Sequence, residues 1–252
     1  MRGVLAATSS VAWLLTDGIG CAAGEPGPAP TTPSTGPPWR EISVSADIAS
    51  TYFTVFTGVT VAPFGSILEP GWRLRAPGGY GQYRYEATRA VAGAPQRVPF
   101  RGIKSSGELM GGYQAGFGAI TVKAFAGAEL LSNVIAPADP ANPVSGTATG
   151  AKLALESWLN IGERGFAQLD GSWSSNAGSY AARLRLGYRV WPCFSMGPEL
   201  SALGQHGFDG NRAGGFGRFA WNGGELSLSA GVSGSTGIPG TPYGTVNWLT
   251  RY

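Results

Sequence analysis

From about Trp39 onward, apolar residues recur at every second position, and the residues between them are charged, polar or glycine. Ile42, Val44, Ala46 and Ile48 alternate with Glu41, Ser43, Ser45 and Asp47. Tyr180, Ala182, Leu184, Leu186, Tyr188 and Val190 alternate with Ala181, Arg183, Arg185, Gly187 and Arg189. Leu226, Leu228, Ala230 and Val232 alternate with Glu225, Ser227, Ser229 and Gly231. A strand sends successive side chains to opposite faces, so each segment has one apolar face and one polar face. On a helix the same spacing would scatter the charges around the whole surface. About twelve such segments can be drawn, an even number as bacterial membrane barrels favour. They lie near 40–49, 52–62, 71–86, 103–115, 119–130, 147–160, 165–175, 179–191, 194–205, 211–221, 224–233 and 242–252. The first pair is the least separable, since 40–62 also reads as one long bent strand.

Which side of such strands meets water is decided by composition. Only 13% of the 252 residues are charged, against roughly 25% in soluble domains. Mean hydropathy is nevertheless only +0.01. Lipid-facing and lumen-facing residues in alternation average to this combination. After the first residues no run of roughly 18 apolar residues offers a transmembrane helix. The fold class expected is therefore all-β: an antiparallel up-and-down transmembrane β-barrel of about twelve strands. The closing segment agrees, with Val246, Trp248, Thr250 and Tyr252 on one parity and Thr245, Asn247, Leu249 and Arg251 on the other. A closed barrel pairs its last strand with its first and leaves no edge.

The connections add independent support. Gly116-Phe117-Gly118, Ile161 to Arg164, Trp191-Pro192-Cys193 and Asn222-Gly223 have tight-turn chemistry. Longer links are expected at Ala87 to Gly102, Leu131 to Gly146 and Gly234 to Thr241. Short periplasmic turns and long external loops alternate in this way, although Pro63 to Pro70 is longer than its periplasmic place predicts. Trp72, Trp158, Trp191, Phe194, Trp221 and Tyr252 gather near the short-turn ends, as an interfacial belt would. The parity of Trp158 and Trp191 also fits packing on the barrel floor.

Three parts are expected along the chain: a signal peptide over 1–23, a Pro-rich linker over 24–38 and the barrel over 39–252. Arg2, the apolar stretch Val4 to Leu15 and the small residues before Gly24 carry the first. Cys21 as a lipid-bearing residue is the weaker reading, because Gly18-Ile19-Gly20 precedes it without a leucine. Pro26, Pro28, Pro30, Pro33, Pro37 and Pro38 make the linker extended. With the leader removed, only Cys193 remains and no internal disulfide can form. Export through the signal peptide to the outer membrane is the localisation expected. Outer-membrane lipid and the barrel assembly machinery are then the partners.

Parity also collects the charges on the lumen face. Arg73, Arg75, Lys123, Lys152, Arg183, Arg185, Arg189, Arg212, Arg218 and Arg251 fall there with Asp47, Glu108, Glu156, Asp170, Glu199 and Glu225. In mid-bilayer, Arg or Lys facing lipid would cost roughly 2–4 kcal/mol. Two readings stand. Arg73, Arg75, Lys123, Lys152, Glu156, Asp170, Arg183, Arg185, Arg189 and Glu199 form a salt-bridge network that fills the lumen, or they form a track for an anionic or sugar-like solute. Arginine forks serve either, because they bind a carboxylate bidentately whether it belongs to protein or ligand.

Other chemistries find little footing. His206 is the sole histidine and lacks a serine two residues on, so a barrel hydrolase is disfavoured and no catalytic residue is assigned. No Cys/His cluster suits zinc, and Asp139-Pro140-Ala141-Asn142 is too sparse for a calcium loop. No cofactor is expected. A net charge of +3 without a basic tract sets nucleic acid aside.

Several strings, in order, resemble the cellulose biosynthesis protein BcsS family. They are GVTVAPFG from Gly58, GWRLRAPGGYGQYRY from Gly71, VKAFAG from Val122, DPANPVSGTATG from Asp139, SYAARLRLGYRV from Ser179, GELSLSAGVSG from Gly224 and PYGTVNWLTRY from Pro242. The resemblance covers roughly the whole expected barrel, 43–252. It implies an alphaproteobacterial outer-membrane protein of a cellulose synthase gene cluster, hence exopolysaccharide export or assembly. Cellulose or the cellulose secretion complex is the implied partner, and no catalytic residue is implied. The function expected is a non-enzymatic outer-membrane barrel that supports cellulose biosynthesis, secretion or surface anchoring. A small oligosaccharide- or anion-selective porin with an arginine-lined lumen is the alternative. Tyr83, Tyr85 and Phe100, if exposed on loops, would offer faces for sugar rings.

Overall fold

The computed structural model describes residues 37–252 apart from 92, 143, 236 and 237. The expected signal peptide, Cys21 and nearly all of the Pro-rich linker lie outside the described residues.

The chain forms β1 (Arg40–Ala49), β2 (Tyr52–Val61), β3 (Gly71–Val91), β4 (Ala94–Phe117), β5 (Ile120–Ala136) and β6 (Gly146–Ile161). It continues through β7 (Gly165–Ser174), β8 (Tyr180–Trp191), β9 (Phe194–Gln205), β10 (Phe208–Trp221), β11 (Gly224–Ser235) and β12 (Ile238–Arg251). Each strand pairs antiparallel with its sequence neighbours, and β12 closes onto β1. The closing register runs from Glu41↔Arg251 to Ala49↔Tyr243. Residues 40–62 are two strands, joined at Ser50 and Thr51.

The alternation sorts cleanly between the two faces. Leu184, Leu186, Leu226 and Leu228 are exposed on the outside, while Arg183, Arg185, Glu225 and Ser227 are buried inside. Only lipid is a good solvent for that outer face, so the molecule is a transmembrane barrel. Trp72, Trp191, Trp221 and Tyr252 are exposed at the end where β1 begins and β12 finishes, the termini end of the barrel. Trp72 packs edge-on against Tyr113 with ring centroids 5.4 Å apart. Trp158 does not belong to this girdle. It shares parity with Glu156, points into the lumen and is buried.

The far end departs most from expectation. Ala87 to Gly102 is not a loop: β3 and β4 run on to Val91↔Ala94, with Thr88 opposite Arg97 and Glu86 opposite Pro99. Pro95 and Pro99 sit where β4 is an edge strand, because its pairing with β5 starts only at Arg101↔Ala136. An edge strand tolerates a missing N–H. Gly234 to Thr241 likewise belongs mostly to β11 and β12, with a register irregularity near Ser233. The difference between the two ends is therefore one of strand length more than of loop length. β3, β4 and β5 stand as a wall above the shorter β1 and β2.

Glycine makes room for rings inside the barrel. Tyr83 faces Gly102 across β3 and β4, and Phe166 faces Gly187 across β7 and β8. A Cβ on either glycine would lie 2.0 Å from the facing ring. The ring therefore lies flat over its glycine partner, which any side chain would prevent.

Candidate functional site

The interior holds the polar chemistry of the molecule in three levels. The lowest, at the termini end, is a floor. The 62–70 connection folds under the barrel: the Ile67 amide donates to the Pro38 carbonyl at 2.8 Å and the Ser66 hydroxyl to the same oxygen at 3.1 Å. Arg73 is buried and donates to the carbonyls of Trp72 at 2.8 Å, Ser66 at 3.1 Å and Ile67 at 3.2 Å, and also to that of Glu69. Gln114 donates to the Glu69 carbonyl at 3.1 Å. The unusually long link is thus held inside by one guanidinium. Above it Trp158 stacks on Phe166 at 4.2 Å, and Phe166 meets Phe216 at 6.1 Å. Arg218 lies 4.9 Å over the Trp158 ring and pairs with Glu225 at 2.5 Å.

The middle level is ionic; some of its pairs join facing residues on adjacent strands and others cross between strands that are not neighbours. Arg75 on β3 meets Glu156 on β6 at 2.5 Å and lies 4.0 Å over the Phe125 ring. Lys123 meets the same carboxylate at 3.6 Å. Arg183 pairs with Asp170 at 3.4 Å. Arg185 pairs with Glu199 at 2.6 Å and reaches Ser229 on β11 at 2.9 Å. Glu199 also accepts from Ser229 at 3.0 Å and from Tyr243 on β12 at 3.1 Å. The space left beside Glu156 and Asp170 is about 10 Å³, room for one water.

Higher up, Lys152 sits between Glu108 at 3.1 Å and Glu129 at 3.3 Å. Glu129 accepts from Ser174 at 2.5 Å and from Asn176 at 3.1 Å. Arg212 on β10 crosses to Asp47 on β1 at 2.7 Å and donates to the Tyr52 hydroxyl. Like Arg73, Arg189 bonds a backbone carbonyl. Arg189 donates to the Glu163 carbonyl at 3.3 Å in the β6–β7 turn. Arg189 keeps the register of Arg183 and Arg185, but it stands level with the β6–β7 turn, where its amide also donates to the Arg164 carbonyl at 2.8 Å.

The far end carries a feature that sequence parity did not show. The 137–145 connection folds down over Tyr83, Tyr85 and Phe100. The rings stack at 6.0 and 5.0 Å and all three are buried. They are therefore not exposed faces for sugar rings: their parity points them inward and the connection covers them. Tyr85 donates to Asp139 Oδ2 at 2.7 Å and accepts from Asn142 at 2.9 Å. Arg89 grips both Asp139 oxygens at 2.7 Å. That bidentate grip holds the Asp139 carboxyl below the usual carboxylate range, against the opposing effect of burial. The sequence signal was the Asp139-to-Asn142 turn, whose Asn142 amide donates to the Asp139 carbonyl at 3.1 Å. In the sequence alone that string shows no more than a motif too sparse for a calcium loop. His206 is exposed in the two-residue turn between β9 and β10.

A family model described as cellulose biosynthesis protein BcsS matches residues 44–252, nearly the whole barrel. The chain belongs to the BcsS family. Among curated proteins none matches it. Two solved structures share its fold at low identity, and a third stands beside them for comparison. The KdgM porin has a TM-score of 0.51 at 8% identity, over 84% of this chain and 99% of that one. The KdgM porin in complex with disordered oligogalacturonate has a TM-score of 0.51 at 10% identity, over the same shares. The translocator domain of the autotransporter NalP from Neisseria meningitidis has a TM-score of 0.47 at 14% identity, over 87% of this chain and 90% of that one. The BcsS chain is thus a barrel of the outer-membrane type within a cellulose biosynthesis family.

Proposed function

We propose that the protein is a non-enzymatic outer-membrane barrel that supports cellulose biosynthesis as an accessory or surface anchor, with a lumen that does not carry the glucan. In this placement the termini end faces the periplasm and the β3–β5 wall faces outward. The carrying observation is the set of lumen-crossing bonds, Arg75–Glu156, Arg185–Ser229 and Arg212–Asp47. Twelve strands give a narrow interior; roughly sixteen are usual for an open porin channel. Here that interior is spent on internal ion pairs. Residues 73, 75, 123, 152, 156, 170, 183, 185 and 199 act in this reading as structural braces. The exposed turn position of His206 supports a role without catalysis.

A porin for anionic oligosaccharides is the second reading, favoured by the count of inward arginines and by the oligogalacturonate named with the KdgM porin. Single-channel recording in planar bilayers separates the two. The brace reading expects small conductance with weak anion selectivity, and Arg185→Ala that loses stability before it gains current. A large anion-selective conductance, lost on Arg185→Ala, sinks it.

A further inference from the structure

On the lipid-facing side two arginines face each other directly above a row of mainly apolar residues. Outward-facing residues on five successive strands form a row of direct cross-strand partners. Ile48 faces Phe53, Phe53 faces Gln82, Gln82 faces Ile103 and Ile103 faces Val134. The four apolar members are all exposed. One step further from the termini on the same outer face, Arg84 stands directly opposite Arg101. Both are exposed. The turn at Ser50 and Thr51 stops level with this pair, where the Arg84 amide donates to the Thr51 carbonyl at 2.9 Å. β3 and β4 climb on past it. The step in the rim leaves a depression of about 470 Å³, with Phe53, Ile103 and Val134 on its apolar side and Arg84 and Arg101 on its basic side.

Height identifies the setting. Trp72 and Tyr113 mark the girdle at the termini end. From Trp72 to Arg84 the strand climbs roughly 30 Å, at about 3.3 Å per residue and a tilt of about 40°. The apolar band of such a barrel is about 25 Å tall. Arg84 and Arg101 therefore stand just above the hydrocarbon, at headgroup level. Like charges directly opposite each other destabilise a strand pair. A phosphate between the two guanidinium groups would turn the repulsion into charge-assisted hydrogen bonding.

We infer that Arg84 and Arg101 form a binding site for the phosphate headgroup of a membrane lipid, with its acyl chains against Phe53, Ile103 and Val134. The site is independent of whether the lumen conducts. The test uses the full chain, purified in detergent, with bisphosphorylated lipid A as the probe and native mass spectrometry as the readout. Dephosphorylated lipid A and inorganic phosphate are the comparison ligands. Arg84→Gln/Arg101→Gln is expected to weaken lipid A binding at least about tenfold, about 1.4 kcal/mol. Arg97→Gln, on the same face but higher, should leave it unchanged. All variants should keep the heat-modifiable gel mobility of a folded barrel, because the changes lie on the surface. If the double variant misfolds, Arg101→Gln alone carries the test. Equal binding by the altered and unaltered barrels, or equal loss in Arg97→Gln, overturns the site. Displacement of the lipid by millimolar inorganic phosphate would assign the arginines to free anions instead and overturn the lipid.

Discussion

In two of the places where the barrel buries polar groups, it does so differently. Between the girdles, Arg75, Arg183, Arg185 and Arg212 meet carboxylates within the ring of strands. At the far end, one carboxylate, Asp139, arrives on a folded connection and is held over a stack of aromatic rings by Arg89. Inside the ring every partner sits on a strand, so removing one leaves the other buried with nothing able to move toward it. In the cap the carboxylate's own backbone belongs to a loop, so a lost bond can be exchanged for water by local opening. A rigid wall makes each ion pair expensive to break, and a loop makes it reversible.

The largest effect expected is at Glu199, which serves Arg185, Ser229 and Tyr243 together. Glu199→Ala should cost about 3–5 kcal/mol, the usual penalty for leaving one buried charge of a pair alone. Denaturant unfolding of the barrel in lipid vesicles measures it, and a loss under about 1 kcal/mol would show that water already reaches Arg185. Next comes the wall itself. Leu184→Arg should destabilise by roughly 2–4 kcal/mol if the position lies near mid-bilayer. Arg183→Leu tests the opposite face, where the cost is that of stranding Asp170, which is 1% exposed. Cysteine labelling that found 184 in water and 183 in lipid would reverse the assigned faces.

The smallest effect belongs to the cap. Asp139→Asn should cost about 1–3 kcal/mol, felt as faster hydrogen exchange in 137–145 and not as loss of the barrel. The same carboxyl sets a pH dependence. Its folded value is depressed relative to the unfolded chain. Its contribution is therefore complete above the unfolded value of roughly 3.9 and lost as pH falls through the lower folded one. Exchange in 137–145 should be slow from neutral pH down to about 4 after correction for intrinsic rates, and should quicken below that. Asp139→Asn should abolish the change, and a variant that keeps it would transfer the pH effect to another group.

Most of the barrel could be read because parity is local. Residues 183 to 186 declare their faces without reference to any other strand, and the strand count follows by repetition. What parity does not carry is the partner. Arg75 lies on β3 and Glu156 on β6, so their meeting depends on the curvature of the closed sheet. Arg189 has the parity and register of Arg183 and Arg185, yet its height beside the β6–β7 turn gives it the Glu163 carbonyl. Trp158 reads as a girdle residue by composition and as a lumen residue by position, and position decides. The far-end extensions were obscured by Pro95 and Pro99, which are punctuation in a central strand but acceptable on an edge. Tyr83 and Gly102 make the same point, since a flat-lying ring opposite a glycine is visible only once the register is known.

The seam between β12 and β1 has a consequence for how the molecule comes into being. Each hairpin joins residues close in sequence and can form early. Arg251 and Glu41 are 210 positions apart and meet at 2.9 Å, beside the Trp39 amide that donates to the Tyr252 carbonyl at 2.7 Å. The entropy of closing so long a loop grows only logarithmically with length, but contacts of such separation are slow to find. Until they are found, β1 and β12 both present open edges, and an open edge is a template for the wrong partner. The hazardous period in the life of this protein is therefore the search that precedes closure, when the wall is built and the seam is not.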